Sequence, residues 1–175
     1  MHSGLLLIFF GLLTVFIPLK ISRFIWIFAA ITALYISITS EHGTSLFFSF
    51  LDYEIVLSRV DGLSKIFSII FSLMTLIGLI FAWNQKCKTE IISVLVYSGS
   101  AIGAVLAGDV FSLFFFWEIM AIGSTLIIFS SNTKLSSKAG LRYALIHFGG
   151  GSILMAGLTG HVLETDTVIF NNITL

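Results

Sequence analysis

Six apolar runs, the first of them short, decide what this chain can fold into. They fall at Gly4–Leu19, Phe24–Ser40, Leu63–Trp83, Ile91–Gly108, Val110–Ser130 and Gly140–Leu163. A helix crossing about 30 Å of hydrocarbon needs roughly 20 mostly apolar residues. The runs are continuous rather than alternating, which favours helices over a barrel. Composition agrees: 57% of the 175 residues are hydrophobic and 10% charged, where soluble domains carry about 25% charged. Too few polar side chains remain to cover a soluble surface. The expected fold is an all-α integral membrane protein with about six transmembrane helices.

The charges test this division. Lys20 and Arg23 fall between the first two runs, Lys86 and Lys88 between the third and fourth. Lys134, Lys138 and Arg142 fall between the fifth and sixth or at the start of the sixth. An alternating chain places all of these at one end of the bundle. The other end receives only Arg59 and Lys65, with Glu41, Asp52, Glu54, Asp61, Asp109, Glu164 and Asp166. Lys and Arg collect in cytoplasmic loops, so both termini are expected outside, in a cell membrane such as the bacterial inner membrane. Ahead of the first run stand only Met1, His2 and Ser3, without a basic residue or a following cleavage site. That run is expected to be a retained span rather than a signal peptide. Net charge is zero and gives no footing for a nucleic-acid partner.

The longest polar interval, residues 41–62, holds Phe47–Leu51 and Tyr53–Leu57 on either side of Asp52. Two readings are open: a short β-hairpin over the outer face, or an amphipathic segment lying in the interface. The one cysteine, Cys87, has no partner for a disulfide or a metal site.

An acidic residue deep in a span is expensive and usually functional. Glu118 lies eight residues into the fifth run, about 12 Å below its outer boundary. A carboxylate there needs a cation or water beside it, or it takes up a proton. A group that exchanges a proton as its partner changes is what a proton relay requires. The alternative is a protonated Glu118 that only holds two helices together. Phe111, Phe114, Phe115, Ala121, Ile122 and Thr125 share its helical face.

In the sixth run Arg142 marks the basic end, where a long cationic side chain reaches back to the interface. His147 is five residues deeper, and an imidazole can pass a proton between its two nitrogens. It is the second candidate relay group, with packing as the alternative. His161, near the far end, reads as interfacial. Gly149-Gly150-Gly151 offers close helix approach or a local break. Gly99 and Gly103 give the fourth run a similar packing surface. Asp61, with Arg59 and Lys65 beside it, reads as a charged cap on the third run that pairs with one of them. Asp109 reads as a turn residue and N-cap for the fifth. No nucleophile–base pair, phosphate-binding glycine loop, CxxC or metal triad is present in the sequence. No cofactor is expected.

Three motifs occur in order: Arg59-Val60-Asp61-Gly62-Leu63-Ser64, then Asp109 through Glu118, then Leu141-Arg142-Tyr143-Ala144-Leu145-Ile146-His147-Phe148-Gly149-Gly150. Together they resemble the N-terminal part of the proton-translocating, antiporter-like membrane subunits. These are the large subunits of Mrp-type Na+/H+ antiporters, the D-type above all, and the membrane-arm subunits of respiratory NADH:quinone oxidoreductase. The resemblance implies the N-terminal portion of a 14-helix fold built on inverted repeats. Residues 1–90 would form a three-span segment with the outer loop 41–62, and residues 91–175 the truncated start of the first repeat. It implies that Glu118 is the family's proton-binding glutamate. Arg142 and His147 stand where members carry a basic residue and, in some, a histidine. It also implies other membrane subunits as partners, lipid as the surroundings, and protons and Na+ as the transported ions. The lysine that pairs with the glutamate in the family is expected in a seventh span. The functions implied are a Na+/H+ antiporter subunit, a membrane-arm subunit of a redox-driven pump, or a bundle member without transport of its own.

Overall fold

A computed structural model describes residues 2–50 and 53–170 of the chain. Among the described residues, six α-helices occur in the expected order: α1 (Ser3–Leu13), α2 (Leu19–Thr39), α3 (Gly62–Phe81), α4 (Lys88–Leu106), α5 (Val110–Ser130) and α6 (Lys134–Thr165). Between α2 and α3 stand two antiparallel strands, β1 (Gly43–Phe50) and β2 (Tyr53–Val60). The hairpin is therefore the reading of residues 41–62 that the structure adopts. Asp52, expected to break the two runs, lies outside the described residues, as do Met1 and residues 171–175.

Four helices, α2 to α5, are long and apolar enough to cross a membrane. The chain is a membrane-embedded, multi-pass protein. The first and last expected spans differ in kind. α1 gives way to a single 3₁₀ turn at Thr14–Phe16 before Pro18; together they reach about 22 Å, short of a full crossing. α6 is long enough, at 32 residues, but glycines, threonines, two histidines and charged ends dilute its apolar stretch. It also begins six residues before the expected Gly140. There Thr133 and Ser136 cap each other's backbone N–H groups in a capping box.

Small residues set how closely the helices approach. A Cβ on Gly99 of α4 would stand 2.6 Å from the Gly4 carbonyl of α1, and one on Gly103 would enter the ring of Phe116 of α5. The spacing noted in the sequence thus serves two different neighbours. Buried hydroxyls find partners across helices, as a bilayer interior demands. Ser37 of α2 lies 3.2 Å from both Ser3 of α1 and Ser72 of α3. Trp26 Nε1 donates to Thr14 Oγ1 at 2.8 Å, and that hydroxyl donates on to the Gly11 carbonyl. Leu7, Ala29, Ala33, Leu95 and Ile102 fill the space between.

Two of the basic loops, α1–α2 and α3–α4, meet at one end. Arg23 Nη2 donates to the Gln85 carbonyl at 3.2 Å, and Lys88 Nζ to the carbonyls of Val15 and Ile17 at 2.8 and 2.6 Å. At the opposite end the hairpin is sewn onto the α4–α5 turn and the segment after α6. Gly108 N donates to the Val56 carbonyl, Val110 N to that of Val168, and Phe170 N to that of Gly108. β2 presents Val56, Ser58 and Val60 inward, while Leu46, Phe47 and Phe48 of β1 are exposed.

Candidate functional site

Asp109 starts α5 and is completely buried. Its Oδ1 accepts from the backbone N–H of Phe111 and Ser112, at 2.9 and 2.8 Å. Its Oδ2 accepts from the Ser112 hydroxyl at 2.5 Å and from Val56 N of β2 at 2.8 Å. The expected N-cap is present, and the same carboxylate also fastens the hairpin, which the sequence does not reveal. A carboxylate accepting four hydrogen bonds at a helix N-terminus is well placed against the helix dipole. α5 thereby acquires a fixed origin and a fixed depth for the residues below.

α5 packs on α4 through Phe116, Ala121, Gly123 and Thr125, with Gly123 against the Tyr97 backbone. This turns Glu118 toward α6. There Gly140, Gly151 and Val162 are the buried residues, and Gly140 lies under the ring of Phe129. Gly151 receives the Glu118 carboxyl: a Cβ at Gly151 would be 3.2 Å from Glu118 Cδ and overlap Oε1. A Cβ at Gly149 or Gly150 would meet nothing within 4 Å. Of the two roles read for the glycine triplet, close approach is the one observed, and only Gly151 performs it. The helix runs through all three without a break.

His147 lies one turn before Gly151, on the same face of α6 and about 6 Å along the axis. Its ring is held between Trp117 and Tyr143, with centroids 5.6 and 5.7 Å away and tilts of 31° and 33°. One turn earlier again, the Tyr143 hydroxyl accepts from Ser124 Oγ of α5 at 3.0 Å. Glu118 Oε1 and His147 Nε2 are both buried without a hydrogen-bond partner. Buried polar atoms are nearly always satisfied, and an orphan calls for a water, an ion or a functional reason. Two orphans on one helix seam, one acidic and one imidazole, make a site that can hold and pass a proton.

The remaining expected residues lie elsewhere. Asp61 caps α3 in a capping box with Ser64 and does not pair with its basic neighbours. Arg59 donates instead to the Phe170 carbonyl at 2.6 Å, and Lys65 to that of Ser40 at 2.7 Å. Backbone hydrogen bonding from Ser64, with a smaller contribution from the Arg59 charge, holds the Asp61 carboxyl below its ordinary value. Arg142 and His161 are exposed, and neither reaches the Glu118 seam. Among the described residues no group of three His, Cys, Asp or Glu could hold a metal. Tyr143, Ser124 and Trp117 were not legible as site residues. The one signal was spacing: Tyr143, His147 and Gly151 recur every fourth residue.

Residues 107–175, which contain the whole seam, match the family described as NADH:quinone oxidoreductase/Mrp antiporter, transmembrane. NADH-quinone oxidoreductase subunit M of Buchnera aphidicola is 32% identical over 124 residues, 64% of this chain and 24% of that protein. A putative antiporter subunit of Staphylococcus saprophyticus is 30% identical over 123 residues, 66% of this chain and 15% of that one. Among solved structures, a chain of the membrane-bound sulfane sulfur reductase, an archaeal respiratory membrane complex, superposes with a TM-score of 0.76 at 17% identity. The match covers 95% of this chain and 37% of that one, and shows the fold. The chain spans about a quarter or less of the length of these two curated relatives.

Proposed function

We propose that this chain, whose residues 107–175 match the NADH:quinone oxidoreductase/Mrp antiporter family, is a subunit of a proton-coupled Na+/H+ antiporter. Glu118 is the membrane-buried group that takes up and releases the proton. One observation carries this reading: the Glu118 carboxyl is seated against Gly151 at the α5–α6 seam, with a buried, unpartnered oxygen. A carboxyl that served only to bind helices together would spend that oxygen on a neighbour. His147, with its own unpartnered nitrogen one turn away, is the next group in the relay.

Residues 91–175 would supply the start of the first repeat. The seven-to-two division of basic residues supports basic loops inside and both termini outside. A reporter fused after Lys86 that reads as external would overturn that orientation.

The test is cation exchange driven by a pH gradient, in vesicles carrying the chain with its native membrane partners. Glu118→Gln, which keeps the shape and removes the titrating proton, is expected to abolish exchange. Exchange at the unmutated rate would sink the assignment.

A second reading keeps the relay and changes its driving force, making the chain a membrane-arm subunit of a redox-driven pump. The similarity to an NADH-quinone oxidoreductase subunit favours it. Co-purification with hydrophilic redox subunits would select this reading, and antiport without them the first.

A further inference from the structure

We infer that the Ser124–Tyr143 hydroxyl pair, at the basic-loop end of the α5–α6 seam, is the outermost link of the proton path to Glu118. This rests on the reading of Glu118 as the proton site and adds the residues of access.

The hairpin end offers the α5–α6 seam no polar ladder. Asp109 there accepts all four of its hydrogen bonds from protein donors, and Val110 is buried. The buried His2, whose Nε2 has no partner, lies against Phe116, on the face of α5 that meets α4 rather than α6. Val162 and Val168 are buried against the same turn. A cavity of about 570 Å³ does open beside α5 there. Its lining is apolar apart from Tyr53 and Ser112, and the Ser112 hydroxyl is already given to Asp109. Such a surface holds no continuous file of water, which needs two to four polar partners per molecule.

Toward the basic end the polar groups form a ladder. Glu118 lies at the level of Gly151, His147 one turn below, and Tyr143 with Ser124 one turn below that. The steps are about 6 Å along α6, a gap that one water bridges. Tyr143 follows Arg142, the exposed residue at the end of the apolar stretch, so the hydroxyl pair lies next to the aqueous boundary. The pair also crosses the helix seam, joining α5 to α6 through side chains alone. Both hydroxyls can donate and accept. A proton arriving on one oxygen from the aqueous side is matched by release of that hydroxyl's own proton to the next acceptor, so each group ends as it began. The next acceptor is a water that reaches His147 Nε2, and from there Glu118 Oε1, both buried and without a hydrogen-bond partner. The Tyr143 and His147 rings meet at a tilt of 33°, with no direct hydrogen bond from the Tyr143 hydroxyl to His147 Nε2.

The experiment compares Tyr143→Phe, Ser124→Ala, Ser124→Thr and Glu118→Gln in the same vesicle assay, each in H2O and D2O. Tyr143→Phe keeps the stacked ring and removes only the hydroxyl. Ser124→Ala and Tyr143→Phe are expected to slow exchange by about 100-fold and to raise the solvent isotope effect. Ser124→Thr should restore most of the rate lost in Ser124→Ala. A purely structural role for the pair would lower the rate without changing the isotope effect, and that result overturns the inference. So would full activity in Tyr143→Phe and Ser124→Ala while Glu118→Gln is inactive. Full activity in Glu118→Gln would instead remove the reading beneath it.

Discussion

A single methyl group at Gly151 separates the stability of α6 from its use as a seat for Glu118. Gly151 is helical and lies in the interior of a 32-residue helix. Replacing a helical glycine by alanine ordinarily stabilises the helix by about 1 kcal/mol, and no left-handed backbone stands in the way here. The new Cβ would overlap Glu118 Oε1 and stand 3.2 Å from Cδ. The backbone of α6 is fixed by its own hydrogen bonds, so the carboxyl must retreat by about 1 Å, and a misplacement of that size costs on the order of 100-fold in a geometry-dependent step. Gly151→Ala is therefore expected to retain or raise thermal stability in detergent while cation exchange falls by about two orders of magnitude. Gly149→Ala, where a Cβ meets nothing within 4 Å, is the comparison and should gain stability alone. Exchange at the unmutated rate in Gly151→Ala would mean that the carboxyl does not occupy this seat during turnover.

Removing the Asp109 carboxylate should unfasten the hairpin. Asp109→Ala leaves Val56 N and the Ser112 hydroxyl without their acceptor and is expected to cost about 2–5 kcal/mol, read as a lowered Tm and faster proteolysis within residues 43–60. Asp61→Ala removes the α3 cap and should cost about 1 kcal/mol at neutral pH. The Asp61 carboxyl is held below its ordinary value of 3.8 in the folded chain. Its stabilisation is thus complete above that value and is lost as pH falls through the lowered folded value; the two proteins should converge in stability there and nowhere above. Trp26→Phe strips Thr14 Oγ1 of its donor and should lower stability by about 1–2 kcal/mol without affecting exchange.

How much of this was legible depended on whether the signal was local. The helices were, because continuous apolar runs between charged loops admit little else in a bilayer, and the first two basic loops do meet at one end. Helix ends were less legible: Thr133 and Ser136 extend α6 beyond its apolar part by capping, which hydropathy does not register. The choice between hairpin and interfacial segment hinged on contacts from distant residues, chiefly Asp109 to Val56. Glu118 stood out because a deep acid is rare. Its seat did not, since α5 is apolar on every side and its sequence does not say which face meets α6. Gly151 looked no different from Gly149 and Gly150 until α5 was placed beside it. Asp61 was legible as a cap and misread as an ion pair, because Arg59 and Lys65 are drawn to carbonyls at Phe170 and Ser40 instead.

The central claim is that the Glu118 carboxyl gains and loses a proton inside the membrane. Infrared difference spectra between acidic and alkaline states of the chain in its native membrane complex test this directly, with Glu118→Gln as the reference. The account predicts a protonated-carboxyl band that appears on acidification, shifts in D2O and is missing from the Glu118→Gln spectrum. Identical difference spectra for the two proteins would contradict it.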